Sequence, residues 1–457
     1  MTDVQGPPRH DARIVRKVAL ASAIGTTVEW YDYFAYAAAT ALVFGPLFFP
    51  QLGGAAATFA AFVTFAMGYL IRPLGGVVFG HLGDRIGRKS LLVVSLLLTG
   101  LATFAIGLLP TYAVVGPAAP VLLLVLRLIQ GVGVSGEWGG AVLMAVEHAP
   151  DRKRGFYGSW PQIGVPAGII LANLVFLIIT TALSPAQFLS WGWRVPFLIA
   201  IVPAAVGLFI RLRVAESPVF TEVKQARTVS PTPILEVLRS YWKQVILGSL
   251  AAAANIAVGY LILTYGLTYG TAVLKLSRPV MLSLVLITAA VGGAGIPFFS
   301  ALSDRVGRRK VFLTGAIGQA VWAVPFFLLF NTRTPLLILL AFIVMQLASY
   351  AMYGPMATIF AEIFGARVRY TGVSLCYQLG VILGGAFTPA IATSLLASTG
   401  TALSISAYIV AISLVSAVAA FALGEPSRNP LAGEKRADPE RAAEHTAGEH
   451  TRPEGVR

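Results

Sequence analysis

The sequence predicts an all-α membrane protein of twelve transmembrane helices, arranged as two pseudo-symmetric six-helix bundles. Three observations carry this. Apolar runs of about 20 residues, the length that crosses a bilayer, recur from Val18 to Leu423. Lys and Arg gather in every second connection between those runs. A short loop of one acid, several bases and a glycine occurs twice, about 220 residues apart, at the same place in each half.

Composition sets the class. Of 457 residues, 56% are hydrophobic and 12% charged, about half the charge fraction of a soluble domain. No soluble core absorbs so many apolar runs, so the lipid bilayer is the solvent for most of the chain. A net charge of +14 invites a nucleic-acid reading. The bases, however, sit in short connections rather than on one continuous face. They read as orientation signals, and no nucleic-acid partner is expected. Cys376 is the single cysteine, so neither a disulfide framework nor a cysteine metal site can be built. His10, His81, His148, His445 and His450 are scattered through tails and span ends, which gives no metal cluster. The polar, basic stretch Met1–Lys17 precedes an apolar run too long for a signal-peptide core, and it reads as a retained cytoplasmic tail.

Continuous apolar runs, rather than alternating ones, select helices over a barrel. Spans are expected near 18–46, 55–79, 90–110, 118–146, 156–183, 194–213, 244–272, 279–303, 311–330, 335–360, 372–397 and 402–423. The domain reading follows from them. Residues 1–17 form the N-terminal tail, 18–213 the first bundle and 214–242 a proline-bearing cytoplasmic linker. Residues 243–423 form the second bundle and 424–457 a disordered cytoplasmic tail, which lacks the apolar heptad of a coiled coil. Predicted inner connections hold Arg85, Arg88 and Lys89, then Arg152 to Arg154, then Arg211 and Arg213. Arg305, Arg308, Arg309 and Lys310 follow, and then Arg367 and Arg369. The outer connections hold little beyond Lys275, Arg278 and Arg333. An even number of spans then returns both termini to the cytoplasmic side.

The repeat makes the halves concrete. Gly80-His-Leu-Gly-Asp84-Arg85-Ile-Gly87-Arg88-Lys89 follows span two, and Ser300-Ala-Leu-Ser-Asp304-Arg305-Val-Gly307-Arg308-Arg309 follows span eight. A second echo relates Glu147–Gly164, with Arg154, to Glu362–Gly380, with Arg369, at nearly the same offset. Each loop places an acid and several bases at the ends of adjoining helices. Asp84 and Asp304 can pair with Arg or cap a helix N-terminus when the inner side is closed. A pure orientation signal accounts for the bases but not for the aspartates or glycines. The set Gly80, Asp84, Arg85, Gly87, Arg88, Glu147, Arg154, Asp304, Arg305, Arg308, Glu362 and Arg369 is therefore expected to form a cytoplasmic gate.

At these loops the sequence resembles the major facilitator superfamily, whose signature after span two is Gly-x-x-x-Asp-Arg-x-Gly-Arg-Lys. Several motifs narrow the resemblance to its metabolite:proton symporter family. They are Glu29-Trp-Tyr-Asp32-Tyr33, Arg72-Pro73-Leu-Gly-Gly, Arg127-Leu-Ile-Gln130-Gly131, Gly136-Glu137-Trp138-Gly-Gly, Trp191-Gly-Trp193-Arg194-Val-Pro-Phe and Glu216-Ser-Pro218. The resemblance covers all but the two tails. It implies the major facilitator fold and proton-driven uptake of a small metabolite across a bacterial inner membrane, by a monomer that needs no cofactor. Members of that family carry shikimate, proline, glycine betaine, α-ketoglutarate and citrate, so a carboxylate or a zwitterionic osmolyte is expected.

Ionisable groups at membrane depth cost roughly 2.5–3.5 kcal/mol each on insertion scales and are usually functional. Here they cluster in the first half: Glu29 and Asp32 in span one, Arg72 in span two, Arg127 and Glu137 in span four. Glu29 and Asp32 lie three residues apart and share a helix face. A buried acid opposite an Arg is ionised while paired and can be protonated when the pair opens, which is what proton coupling needs. In proton-coupled relatives an acid in span one faces an Arg in span four. The resemblance therefore implies Asp32 as proton site and Arg127 as its partner or as substrate anchor, with Glu29 and Glu137 next. A buried structural network is the alternative for these groups, and Arg72, beside Pro73, could instead snorkel to the interface. Tyr33, Tyr36, Gln130, Trp138, Asn255, Tyr260, Gln346, Tyr350 and Gln378 are the cavity candidates, with interhelical hydrogen bonding as the alternative for each.

Other classes fit less well. Gly131-Val-Gly133-Val-Ser-Gly136 matches a dinucleotide fingerprint, but it lies inside an apolar span with no strand before it; there its glycines permit close helix contact. A membrane-embedded enzyme would want a mid-membrane His or Asp pair, and a channel would not want buried acid–base pairs. A proton-antiport exporter shares the expected fold, and residues alone separate it poorly from a symporter.

Overall fold

The computed structural model describes residues 12–226 and 228–426. Its regular structure among these residues is entirely helical. Twelve long helices follow in the expected order. The first, α1, is Ala12–Ala39. Eleven more are long and apolar enough to cross a membrane. These are α2 (Ala56–Ile86), α3 (Arg88–Leu108), α4 (Ala118–Glu147), α5 (Asp151–Ala182), α6 (Gly192–Leu212), α7 (Trp242–Thr271), α8 (Pro279–Val306), α9 (Arg308–Phe330), α10 (Pro335–Glu362), α11 (Arg369–Thr399) and α12 (Leu403–Leu423). Glu29, Asp32 and three tyrosines dilute the apolar content of α1.

Two boundaries differ from the sequence expectation. α1 begins at Ala12, so residues 12–17 are helical rather than tail. The repeated motif is also less of a loop than expected. Gly80, Asp84 and Arg85 form the last turns of α2, and Asp304 and Arg305 those of α8. The turns themselves are single glycines, Gly87 (φ 117°) and Gly307 (φ 103°), in a region that only glycine enters at low cost. The expected linker contains two short helices, Pro218–Gln225 and Pro233–Ser240. Of the tails read as 1–17 and 424–457, residues 1–11 and 427–457 lie outside the described residues.

Packing within the first bundle relies on small residues, as the α4 glycines suggested. Gly131 sits against Gly68 and Ile71 of α2, Gly133 against Thr99 of α3, and Gly136 against Phe79 of α2. Without a hydrophobic driving force between helices in lipid, close backbone approach of this kind supplies the packing energy. The two halves meet along α2 and α11, α5 and α8, and α4 with α10 and α11. Gly76 and Gly80 of α2 make the first of these seams possible. A Cβ on Gly80 would lie 2.7 Å from the Thr371 Cα, and one on Gly76 would lie 3.0 Å from the Gln378 Cγ.

Candidate functional site

The α2–α3, α4–α5, α6–α7, α8–α9 and α10–α11 connections share one end of the bundle, here called the basic end. A buried charged network holds the halves together there. The first turn of an α-helix leaves its N–H groups without partners, and in α11 an acid from the other half supplies them. Asp84 Oδ1 accepts from Tyr370 N at 3.1 Å, and its Oδ2 accepts from Thr371 N and Thr371 Oγ1, both at 2.9 Å. The repeat does the same in mirror image. Asp304 accepts from Gly155 N at 2.8 Å and from Phe156 N at 2.9 Å, at the start of the helical run Arg154–Gly158. A negative charge at a helix N-terminus also meets the favourable end of the helix dipole.

Behind each aspartate stands an arginine flanked by acids. Arg88 lies 3.7 Å from Asp84 and 3.6 Å from Glu147, and Arg308 lies 2.5 Å from Asp304 and 3.4 Å from Glu362. All but Asp304 are below 5% exposed. The mirror fails at one place. Arg369 crosses to Glu147 at 3.0 Å, whereas its counterpart Arg154 pairs within its own loop with Asp151 at 2.7 Å. Arg85 and Arg305, grouped with the gate from sequence, are exposed and make no ion pair among the described residues. They sit one position past Asp84 and Asp304, on the outer face of the helix.

Sequence reasoning missed a further pair. Glu216 accepts from Arg88 N and Lys89 N, each at 3.2 Å, and so caps α3. Glu425 accepts from Arg308 N at 3.0 Å and Arg309 N at 3.1 Å, and caps α9. Each glutamate follows the last helix of its half, which is a third echo of the repeat. Ser217 in turn donates to Glu147, and the Phe220 ring lies 4.7 Å from the Arg88 guanidinium. The linker is thus part of the network.

At mid-membrane depth the charges of the first bundle separate into two groups. Asp32, Tyr33, Arg72, Arg127 and Gln130 line a pocket of about 10 Å³ together with Thr99 and three small or apolar residues, room for about one water. Asp32 is 2% exposed, and neither of its oxygens makes a hydrogen bond or ion pair among the described residues. Thr103 and Arg127 face it, with Glu29 and Tyr31 near it on its own helix. The direct Asp32–Arg127 ion pair is therefore absent. Arg127 donates instead to Gln130 Oε1 at 3.3 Å and lies 4.2 Å from the Tyr36 ring centre and 4.9 Å from that of Phe65. Tyr36 bonds Thr64 at 2.9 Å. Arg72 does not snorkel: it is 5% exposed, 4.5 Å from the Tyr69 ring centre and 5.7 Å from that of Tyr33, and forms no ion pair among the described residues.

The second group is Glu137, which pairs with Arg211 of α6 and accepts from Ser95 Oγ at 3.1 Å. The sequence had placed Arg211 among the connection bases. The pairing spans 74 positions, which no motif announces. Glu29, between the groups on α1, is buried with Oε2 unpartnered.

The cavity candidates of the second half meet the first through aromatics. Tyr260 bonds the hydroxyl of Tyr69 across the halves. Trp138 stacks on Tyr377, centres 3.8 Å apart. Four candidates make interhelical or local contacts. Asn255 Oδ1 accepts from Ser349 Oγ at 2.5 Å, Gln378 Nε2 donates to Ser135 O at 3.0 Å, and Tyr350 faces Gln346 on its own helix. Tyr69 carried no signal in the sequence beyond being a tyrosine in an apolar run.

Comparison with known proteins agrees with this architecture. A family profile described as Major Facilitator Superfamily matches residues 22–376 and 284–452. The inner membrane metabolite transport protein YhjE of Escherichia coli K12 is 41% identical over 82% of this chain and 87% of that protein. The shikimate transporter of the same strain is 38% identical over 90% and 95%, and its proline/betaine transporter 33% identical over 92% and 85%. Among solved structures, the proton:xylose symporter XylE bound to 6-bromo-6-deoxy-D-glucose superposes with a TM-score of 0.72 at 18% identity, covering 90% of this chain and 95% of that one.

Proposed function

The chain belongs to the major facilitator superfamily, and is accordingly a multi-pass membrane transporter rather than an enzyme. From that premise we propose that it is a proton-coupled symporter, working as a monomer, that takes up a small carboxylate or zwitterion across the bacterial inner membrane. In this reading the basic end and both termini face the cytoplasm.

The observation that supports it most is the unpartnered Asp32 beside Arg127 and Arg72 in one buried pocket. An ionised carboxylate without a partner at this depth costs several kcal/mol, and protonation removes that cost. With Asp32 protonated, no carboxylate lining the pocket balances the two guanidiniums, and Glu29 faces Arg72 only from outside it. A substrate carboxylate supplies that charge, with Arg72 held ready between Tyr33 and Tyr69. Substrate and proton thus complete one another, which couples their movement. The aromatics Tyr33, Tyr69, Tyr260, Trp138 and Tyr377 suit the rest of a small ring acid or a quaternary amine. The names of the relatives nominate shikimate, proline and betaine.

The basic end serves as the inner gate in this account. Helix caps from Asp84 and Asp304 exist only while the halves touch, and opening toward the cytoplasm releases them. The test is uptake by proteoliposomes under an imposed pH gradient, with shikimate, α-ketoglutarate, citrate, proline and glycine betaine as candidates. Uphill uptake of one of them supports symport. Outward movement of cationic drugs, with none of the five taken up, supports a proton-antiport exporter instead.

A further inference from the structure

We propose that the first bundle carries its own proton path from Asp32 to the basic end, with the Glu137–Arg211 pair as its relay. The inference rests on the symport reading above, and its geometry lies wholly within that bundle. On α1, Asp32, Glu29, Gly25, Ser22 and Val18 are spaced three or four residues apart and form one stripe. Asp32 opens onto the mid-membrane pocket, and Ser22 and Val18 onto a second cavity of about 20 Å³ at the other end, room for one or two waters. The relay stands between them. Gly25 has no side chain where a Cβ would lie 2.7 Å from Glu137 Oε1, so Glu137 reaches α1 one turn below Glu29.

The facing helices are polar along the same line. On α3, Thr99 lines the upper pocket, Thr103 accepts from Gln130 of that pocket at 2.6 Å, Ser95 bonds Glu137, and Leu92 lines the lower cavity while its carbonyl accepts from Arg211 Nη1 at 2.7 Å. Arg211 touches both levels: it pairs with Glu137 and lines the lower cavity, whose rim includes Lys89 and Val214 at the basic end. A packing role alone does not call for a buried acid, a base and a serine stacked between two cavities in one bundle. The charged groups that face Glu29 are Glu137, Arg72, Arg211 and Asp32, with Tyr353 and Tyr377 across the halves. Glu137 is faced in addition by Ser95 and Tyr370.

The steps balance without any further reactant. Protonated Glu29 loses its O–H proton to the Glu137 carboxylate, so one acid becomes an anion as the other becomes neutral. Arg211, facing both, keeps one counter-ion throughout. Glu137 then passes the proton to water in the lower cavity and regains its pairing with Arg211. Glu29 is recharged from Asp32, one turn above.

The experiment measures accumulation under a pH gradient against counterflow at equal pH, in proteoliposomes with a lumenal pH dye and, as probes, shikimate, α-ketoglutarate, citrate, proline and glycine betaine. Glu137→Gln is expected to lower accumulation at least tenfold relative to its own counterflow, and Glu137→Asp to restore most of it. Glu137→Gln/Arg211→Gln separates relay from brace: it stays uncoupled if the carboxylate carries protons and regains accumulation if the pair only braces the bundle. Accumulation that tracks counterflow in Glu137→Gln, or recovery in the double variant, overturns the path. Should Glu137→Gln fail to insert, Ala21→Leu decides by filling the lower cavity: slowed accumulation at parental counterflow supports the path, and parental accumulation overturns it. A parental chain that takes up none of the five with protons sinks the symport reading and the path with it. Parental uptake beside a fully coupled Glu137→Gln sinks the path alone.

Discussion

Replacing Asp84 with Asn should open the basic end. The carboxylate accepts three hydrogen bonds from the first turn of α11 and stands 3.7 Å from Arg88. Asn keeps one acceptor oxygen, turns an amide toward the remaining donors and removes the charge. Hydrogen bonds to a charged group contribute roughly 1.5–3 kcal/mol each, and a helix cap about 1 kcal/mol. Because these contacts join the two halves, their loss weakens the closed state relative to the open one by about 2–3 kcal/mol. That shift corresponds to a roughly 30- to 150-fold change in the equilibrium. The assay is thiol labelling from the basic end. Cys376, itself buried, is replaced by Ser, and a single Cys is placed at Thr358, which is fully buried opposite Gly158. Labelling by an impermeant maleimide should accelerate at least tenfold in Asp84→Asn, and by less in Asp304→Asn, where two backbone bonds are at stake. An unchanged rate in both would refute the capping argument.

Four further outcomes follow from the same geometry. Gly80→Ala places a Cβ 2.7 Å from the Thr371 backbone and should raise the same labelling rate without touching any charge. Asp32→Asn should abolish accumulation while leaving counterflow partly intact; full proton-driven uptake by that variant would end its assignment as the proton site. Arg72→Lys, which keeps the charge but loses the planar fork, should raise KM at least tenfold, and an unchanged KM would remove Arg72 from the substrate site. Glu425→Gln should lower stability by about 1 kcal/mol through its cap on α9, visible as a lower Tm in detergent, and a similar loss is expected for Glu216→Gln on α3.

The twelve helices and the repeat were legible because their signals are local. Apolar run length, alternate basic connections and the spacing from Gly80 to Arg88 all lie within a few turns of chain. The aspartate caps could be anticipated for the same reason, as an acid held at a fixed offset from a glycine turn. What escaped lies in pairings between distant segments. Glu137 and Arg211 come from α4 and α6, 74 positions apart, and no spacing rule relates them. Arg85 and Arg305 shared a motif with buried neighbours but fall on the exposed face, a distinction set by the helical phase of α2 and α8 running through the motif. Glu425 sits in a segment that reads as polar tail, and only its docking on α9 shows that it repeats Glu216. Asp32 and Arg127 were paired by resemblance to proton-coupled relatives, which fixed their neighbourhood but not their contact. The rings of Tyr36 and Phe65 hold the guanidinium instead.

The central claim is that proton movement drives metabolite uptake through this chain. Its most direct measurement is the proton:substrate flux ratio in proteoliposomes, reading lumenal pH by dye and shikimate or proline by radiolabel in the same vesicles. Symport predicts that substrate entering down its own gradient carries protons in with it, acidifying the lumen, and that Asp32→Asn abolishes the acidification. Substrate entry with no pH change, or with alkalinisation of the lumen, would contradict it.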